Sequence, residues 1–90
     1  MANAHPLTKA RTAVRWTQTR LAVEADVAQS TISFVENGER GGKFSPESAA
    51  KILAALKRGI VVAKKHRVDT SAAERLRLED LVFPRGEAKA

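Results

Sequence analysis

Ninety residues, 43% of them hydrophobic and none of them cysteine, suit one small packed domain and exclude disulfides and thiolate metal sites. His5 and His66 stand far apart with no ligand-like pattern around them, so neither a metal site nor a cofactor is expected, and no small-molecule site is evident. The formal net charge of +6 points toward a polyanionic partner, while the longest apolar run, Ile60-Val61-Val62-Ala63, is far too short to span a membrane and the N-terminus lacks a signal peptide's apolar core, so a cytoplasmic protein is expected.

Residues 1–6 read as a loose arm. Leu7, Ala10, Arg11 and Val14 recur at helical spacing and predict a first helix over 7–15. Thr17 is suited to cap a second helix over 18–25, since its hydroxyl can accept from a free first-turn N–H. Trp16 before that cap and Leu21 in the helix have the spacing of a hydrophobic staple; Arg20 stands where a capping box would have Glu. Asp26 falls where the chain needs a left-handed residue, Val27 plugs the turn, and a third helix runs over 29–37 with Gly38 as its C-cap. Residues 39–45 read as a flexible basic loop. Ser45-Pro46-Glu47 then starts a fourth helix: a cap, a proline at the first helical position, and an acid near the positive end of the dipole. Its end is open to two readings. Lys57-Arg58-Gly59 looks like a helix terminus followed by a short strand at 60–63, yet Ile52, Leu56, Ile60 and Ala63 continue one helical face to about residue 67. The second reading, one long helix, is favoured. Ser71-Ala72-Ala73-Glu74 reads as a capping box opening a final helix with Leu78, Leu81 and Val82 apolar, stopped by Pro84; residues 84–90 read as a tail.

Projected at 100° per residue, the third helix sets Ala28, Ile32 and Val35 on one side and Ser30, Ser33, Phe34 and Asn37 opposite, with Gln29 at its head. Ala22 is small enough to let the second helix approach closely. The outer face is polar, short and nearly uncharged, the kind of surface that hydrogen-bonds base edges in a major groove. Glutamine offers an acceptor and a donor to adenine, serine pairs with several bases, and Phe34 can press on thymine methyls.

Thr17-Gln18, Leu21-Ala22, Val27, Ser30-Thr31-Ile32-Ser33 and Glu36-Asn37-Gly38, with Leu7 and Arg11 before them and Ser45-Pro46-Glu47 after, resemble the signature of the lambda-repressor/Cro-like (XRE) helix-turn-helix family. Leu78 to Phe83 resembles the closing helix of those domains. The resemblance covers about residues 7–56 and implies an all-α, five-helix domain, here with an extended fourth helix. It implies base contacts from Gln29, Ser30 and Phe34, to which the exposed Ser33 is added. It implies phosphate contacts from Gln18, which would also buttress the first recognition residue, and from Asn37. Thr17 beside Gln18, and Arg40 and Lys43 in the basic loop, are assigned to the phosphates as well. Arg11 and Glu36 match a partly buried ion pair between the first and third helices. Arg15 and Asp26 depart from the family's usual glycines, Ala28 stands where a capping Ser or Thr is common, and about twenty extra residues precede the closing helix.

These readings lead to one expectation about function. The domain, residues 7–83 with its motif at 17–38, is a DNA-binding transcriptional regulator and not an enzyme. It is a repressor that binds double-stranded DNA as a homodimer on a palindrome. The extension 57–83, through Ile60, Val61, Leu78, Leu81 and Val82, supplies the dimer surface. The alternative is an antitoxin that autoregulates and holds a protein partner, a toxin or antirepressor, through residues 57–90.

Overall fold

The computed structural model describes residues 5–37 and 43–82. Six helices follow in order: α1 (Pro6–Ala13), α2 (Gln18–Ala25), α3 (Gln29–Glu36), α4 (Pro46–Lys65), α5 (Ser71–Glu74) and α6 (Leu78–Val82). Among the described residues the fold is all-α, with one helix more than the expected five. Gly38 and Arg40 lie outside the described residues, as do 1–4 and 83–90.

Helix starts follow local chemistry. Thr17 Oγ1 accepts from the Arg20 N–H at 3.0 Å and Ser45 Oγ from that of Ser48 at 3.2 Å, with Pro46 at the first helical position of α4. Residues 5 and 6, expected in the arm, belong to the start of α1: His5 Nδ1 accepts from the Leu7 N–H at 3.0 Å and Pro6 opens the helix. His5 is buried. Ala28, as expected, gives α3 no side-chain cap.

Three helices end alike, and none uses glycine. Arg15 (φ 65°), Asp26 (φ 58°) and Arg67 (φ 60°) are left-handed. After each, the next N–H reaches back five residues: Trp16 to Arg11 O at 3.0 Å, Val27 to Ala22 O at 3.1 Å, and Val68 to Ala63 O at 3.1 Å. This is the Schellman closure, which is completed by an apolar residue after the left-handed one. Trp16, Val27 and Val68 fill that role and pack on the core.

α4 is one continuous helix through Gly59, so the strand reading of 60–63 fails. Gly59 is no terminator. A Cβ there would stand 3.0, 3.2 and 3.3 Å from three atoms of the Trp16 benzo ring, so the glycine admits the indole. The Arg20 guanidinium carbon lies 5.2 Å from the centre of the same ring. Trp16, which precedes α2, is thereby pinned to the middle of α4.

The segment after α4 also differs from expectation. Ser71 is not a cap: its N–H and hydroxyl donate to Asp69 Oδ1 at 3.0 and 2.7 Å, while the Thr70 hydroxyl donates to Glu74. The single closing helix is two short ones. Leu76, between them, turns into the core, and Asp80 starts α6 by accepting from the Arg77 N–H at 2.9 Å. Phe44, expected in a flexible loop, is 1% exposed, and its N–H donates to Leu81 O at 2.8 Å. Leu81 is fully buried in the same core, which removes it from the proposed dimer surface.

Leu7, Leu21, Ile32, Val35, Phe44, Ile52, Leu56 and Leu81 form the centre of that core. α2 packs against α3 and α4, while α5 and α6 close over α1 and α4. No buried side-chain nitrogen or oxygen among the described residues lacks a partner. No described helix is long and apolar enough to cross a membrane.

Candidate nucleic-acid interface

The orientation of α3 is set by one ionic node. Arg11 on α1 grips Glu36 at the end of α3 with two hydrogen bonds, Nε to Oε2 at 2.9 Å and Nη2 to Oε1 at 3.0 Å. Its remaining arm, Nη1, donates to the Trp16 carbonyl at 2.9 Å, and Gln18 Nε2 donates to Glu36 Oε1 at 2.9 Å. The two charged side chains are 13% and 4% exposed. Burial pushes the Glu36 carboxyl up, but hydrogen bonds from Arg11 and Gln18, the Arg11 charge and a hydrogen bond from Thr8 outweigh it, and its pKa lies below the ordinary range. α1, α2 and α3 meet at this carboxylate, and the α1–α2 turn is tied to it through Arg11.

With Ile32 and Val35 locked inside, α3 turns Gln29, Ser30 and Phe34 outward; Phe34 is 41% exposed and Ser33 is half-buried beside it. Ala28, read as part of the inner face, is exposed where the chain enters the helix. The outward face carries no net charge, because Glu36 is turned inward and neutralised by Arg11. Asn37 closes α3 as an exposed C-cap.

The expected buttress of Gln29 is corrected. Gln18 spends its amide N–H on Glu36, and Thr19 holds Gln29 instead, its hydroxyl donating to Gln29 Oε1 at 3.0 Å. That bond leaves the Gln29 amide N–H donors and one oxygen lone pair for a base edge. Sequence reasoning passed over Thr19, whose only signal is a short hydroxyl one helical position after Gln18. Thr17 and Lys43 are exposed and Gln18 is half-buried. The Thr17 hydroxyl accepts in the cap and so keeps its own proton for an outside acceptor. Donors at the head of α2 and polar side chains along α3 therefore frame one uncharged strip.

Among the described residues no cluster of three or more potential metal ligands occurs. No curated protein and no solved structure matches the chain. A family model described as helix-turn-helix matches residues 7–61, which takes in α1 to α3 and most of α4. The polar α3 face, its ionic anchor and that match agree, and the chain belongs to the lambda-repressor/Cro-like (XRE) helix-turn-helix family of DNA-binding transcription regulators.

Proposed function

We propose that the protein is a repressor that binds a palindromic operator as a homodimer, with α3 in the major groove. Gln29, Ser30, Ser33 and Phe34 read the bases, and Thr17, Gln18, Asn37, Arg40 and Lys43 hold the backbone. The carrying observation is the anchored, uncharged α3 face with Gln29 held ready by Thr19. One such helix spans only a few base pairs, and useful specificity then calls for two copies with half-sites about one helical turn, roughly 34 Å, apart.

A second copy fits one surface best. An apolar groove of about 770 Å³ runs between α4 and α5–α6, walled by Leu53, Ile60 and Leu78, with Lys57, Arg77, Glu74 and Glu79 also lining it. Two cations and two anions around an apolar floor suit a twofold interface, where each patch meets its own copy and opposite signs can face each other. Leu78 is 42% exposed, and Val61, one turn beyond Lys57 on α4 and 58% exposed, extends this surface, whereas Val82 is partly buried against the core.

Selection from a random DNA pool should return an inverted repeat; sequences with no common element would refute the reading. Gln29→Ala should relax preference at one base position at a cost of about 1–3 kcal/mol, whereas Lys43→Ala should weaken all sequences alike and lower the salt slope by about one. Leu78→Lys should shift the mass in solution toward monomer, and an unchanged mass would move the interface elsewhere.

A further inference from the structure

A second, smaller pocket, of about 320 Å³, lies between the α1–α2 turn and the last turns of α4. Val14, Trp16 and Val62 give it an apolar wall, and Arg15, Arg20 and His66 line it as well. No carboxylate lines it. Arg20 is committed to Glu24 at 2.9 Å. Arg15 and His66 have no ion-pair or hydrogen-bond partner for their side chains among the described residues.

Two backbone features shape the pocket, and folding alone favours neither. Arg15 occupies a left-handed position, φ 65°, where glycine is the least strained residue. Gly59 sits inside a helix, where alanine would be better, and so lets the indole come close against α4. The first places a free guanidinium at the pocket and the second builds its aromatic wall. A planar guanidinium matches a carboxylate in a two-point geometry. An apolar wall with a few polar groups is the usual make-up of a small-molecule site.

We propose that this pocket binds a small carboxylate with an apolar body of aromatic-ring size, its carboxylate on Arg15 and His66 and its body against Trp16 and Val62. The Trp16 carbonyl is also the point held by Arg11, which in turn holds Glu36 on α3. Occupancy would thereby bear on the placement of α3, a consequence that rests on the DNA-binding reading, whereas binding itself does not.

The test uses the full chain without DNA. Trp16 is the only tryptophan, so its indole N–H resonance and its fluorescence report the pocket without ambiguity. Benzoate should give a saturable shift, with benzamide and inorganic phosphate at least about tenfold weaker. Arg15→Gly should weaken benzoate about tenfold while holding or raising the melting temperature, because glycine suits that backbone. Should Arg15→Gly melt lower, His66→Ala makes the same comparison. No saturable response to benzoate, an equal response to phosphate, or unchanged benzoate affinity in the folded variant would each overturn the proposal.

Discussion

Glu36→Gln is the sharpest perturbation of the reading surface. The change keeps the side chain's shape and removes its charge. One of the two oxygens becomes an N–H donor, which must face either Arg11 Nε or the pair formed by Arg11 Nη2 and Gln18 Nε2. At least one donor then opposes a donor, and the guanidinium loses its counter-charge at a site where the side chains are 13% and 4% exposed. Breaking a buried pair from one side costs about 3–5 kcal/mol. Arg11 keeps its bond to the Trp16 carbonyl and some access to water, which places the cost at the low end, about 3 kcal/mol. A domain of this size is stabilised by roughly 5–13 kcal/mol in all, so the melting temperature should drop by about 12–24 °C.

Urea unfolding followed by far-UV circular dichroism measures this cost, and its pH dependence supplies an independent check. The folded pKa of Glu36 lies below its ordinary value of 4.5. Its contribution is therefore fully present above that value and is lost as pH falls through the folded pKa. The gap between wild type and Glu36→Gln should be widest near neutrality and should narrow in acid. Replacing Arg11 and Glu36 together by leucine should cost less than Glu36→Gln alone, since no charge is left stranded. A cost below about 0.5 kcal/mol for Glu36→Gln, or a gap that does not change with pH, would refute the claim that this ion pair fixes α3.

Phe44→Ala should destabilise by about 3–5 kcal/mol, read from the urea midpoint, because the ring is fully buried and its backbone joins α6 to the core. Asp26→Gly should stabilise by up to about 1 kcal/mol; the weak Lys51–Asp26 contact at 3.8 Å, with Asp26 94% exposed, offsets little of the gain. Thr19→Val should leave the melting temperature nearly unchanged yet blunt base discrimination at the position read by Gln29, measured by competition between operator variants, because the amide loses its fixed rotamer.

The starts of α2 and α4 could be read from the chain because their caps are local, while those of α5 and α6 could not. Thr17 and Ser45 accept from N–H groups three residues on, and Pro46 lacks the N–H that would otherwise go unpaired there. Helix ends were harder to read. Gly59 resembles a stop signal, but its reason lies on Trp16, brought to it only by folding. Arg67 looks like the basic last turn of a helix when it is the left-handed residue just beyond it. Asp26 could be read as a left-handed turn residue from its place between two helices, whereas Arg15 was identifiable as one only because the family usually has glycine there. The Arg11–Glu36 pair followed from the resemblance, whereas the partners of Gln18 and Gln29 depend on side-chain geometry across two helices, and there the resemblance assigns Gln29 to the wrong residue. Phe44 sits among basic and glycine neighbours, so its burial became visible only once α6 was in place.

The contact between Trp16 and Gly59 bears on how this chain can vary over evolutionary time. A Cβ at position 59 would stand 3.0 Å from the nearest indole atom, so the ring would have to give way by a few tenths of an ångström. Position 16 belongs to the DNA-binding motif and position 59 to the helix behind it, and the two should change as a pair. Relatives with alanine or a larger residue at 59 should carry a smaller side chain at 16, while those that keep tryptophan should keep glycine. Such covariation, sought in a set of aligned homologues, would mark which of them share this particular seating of α2 on α4.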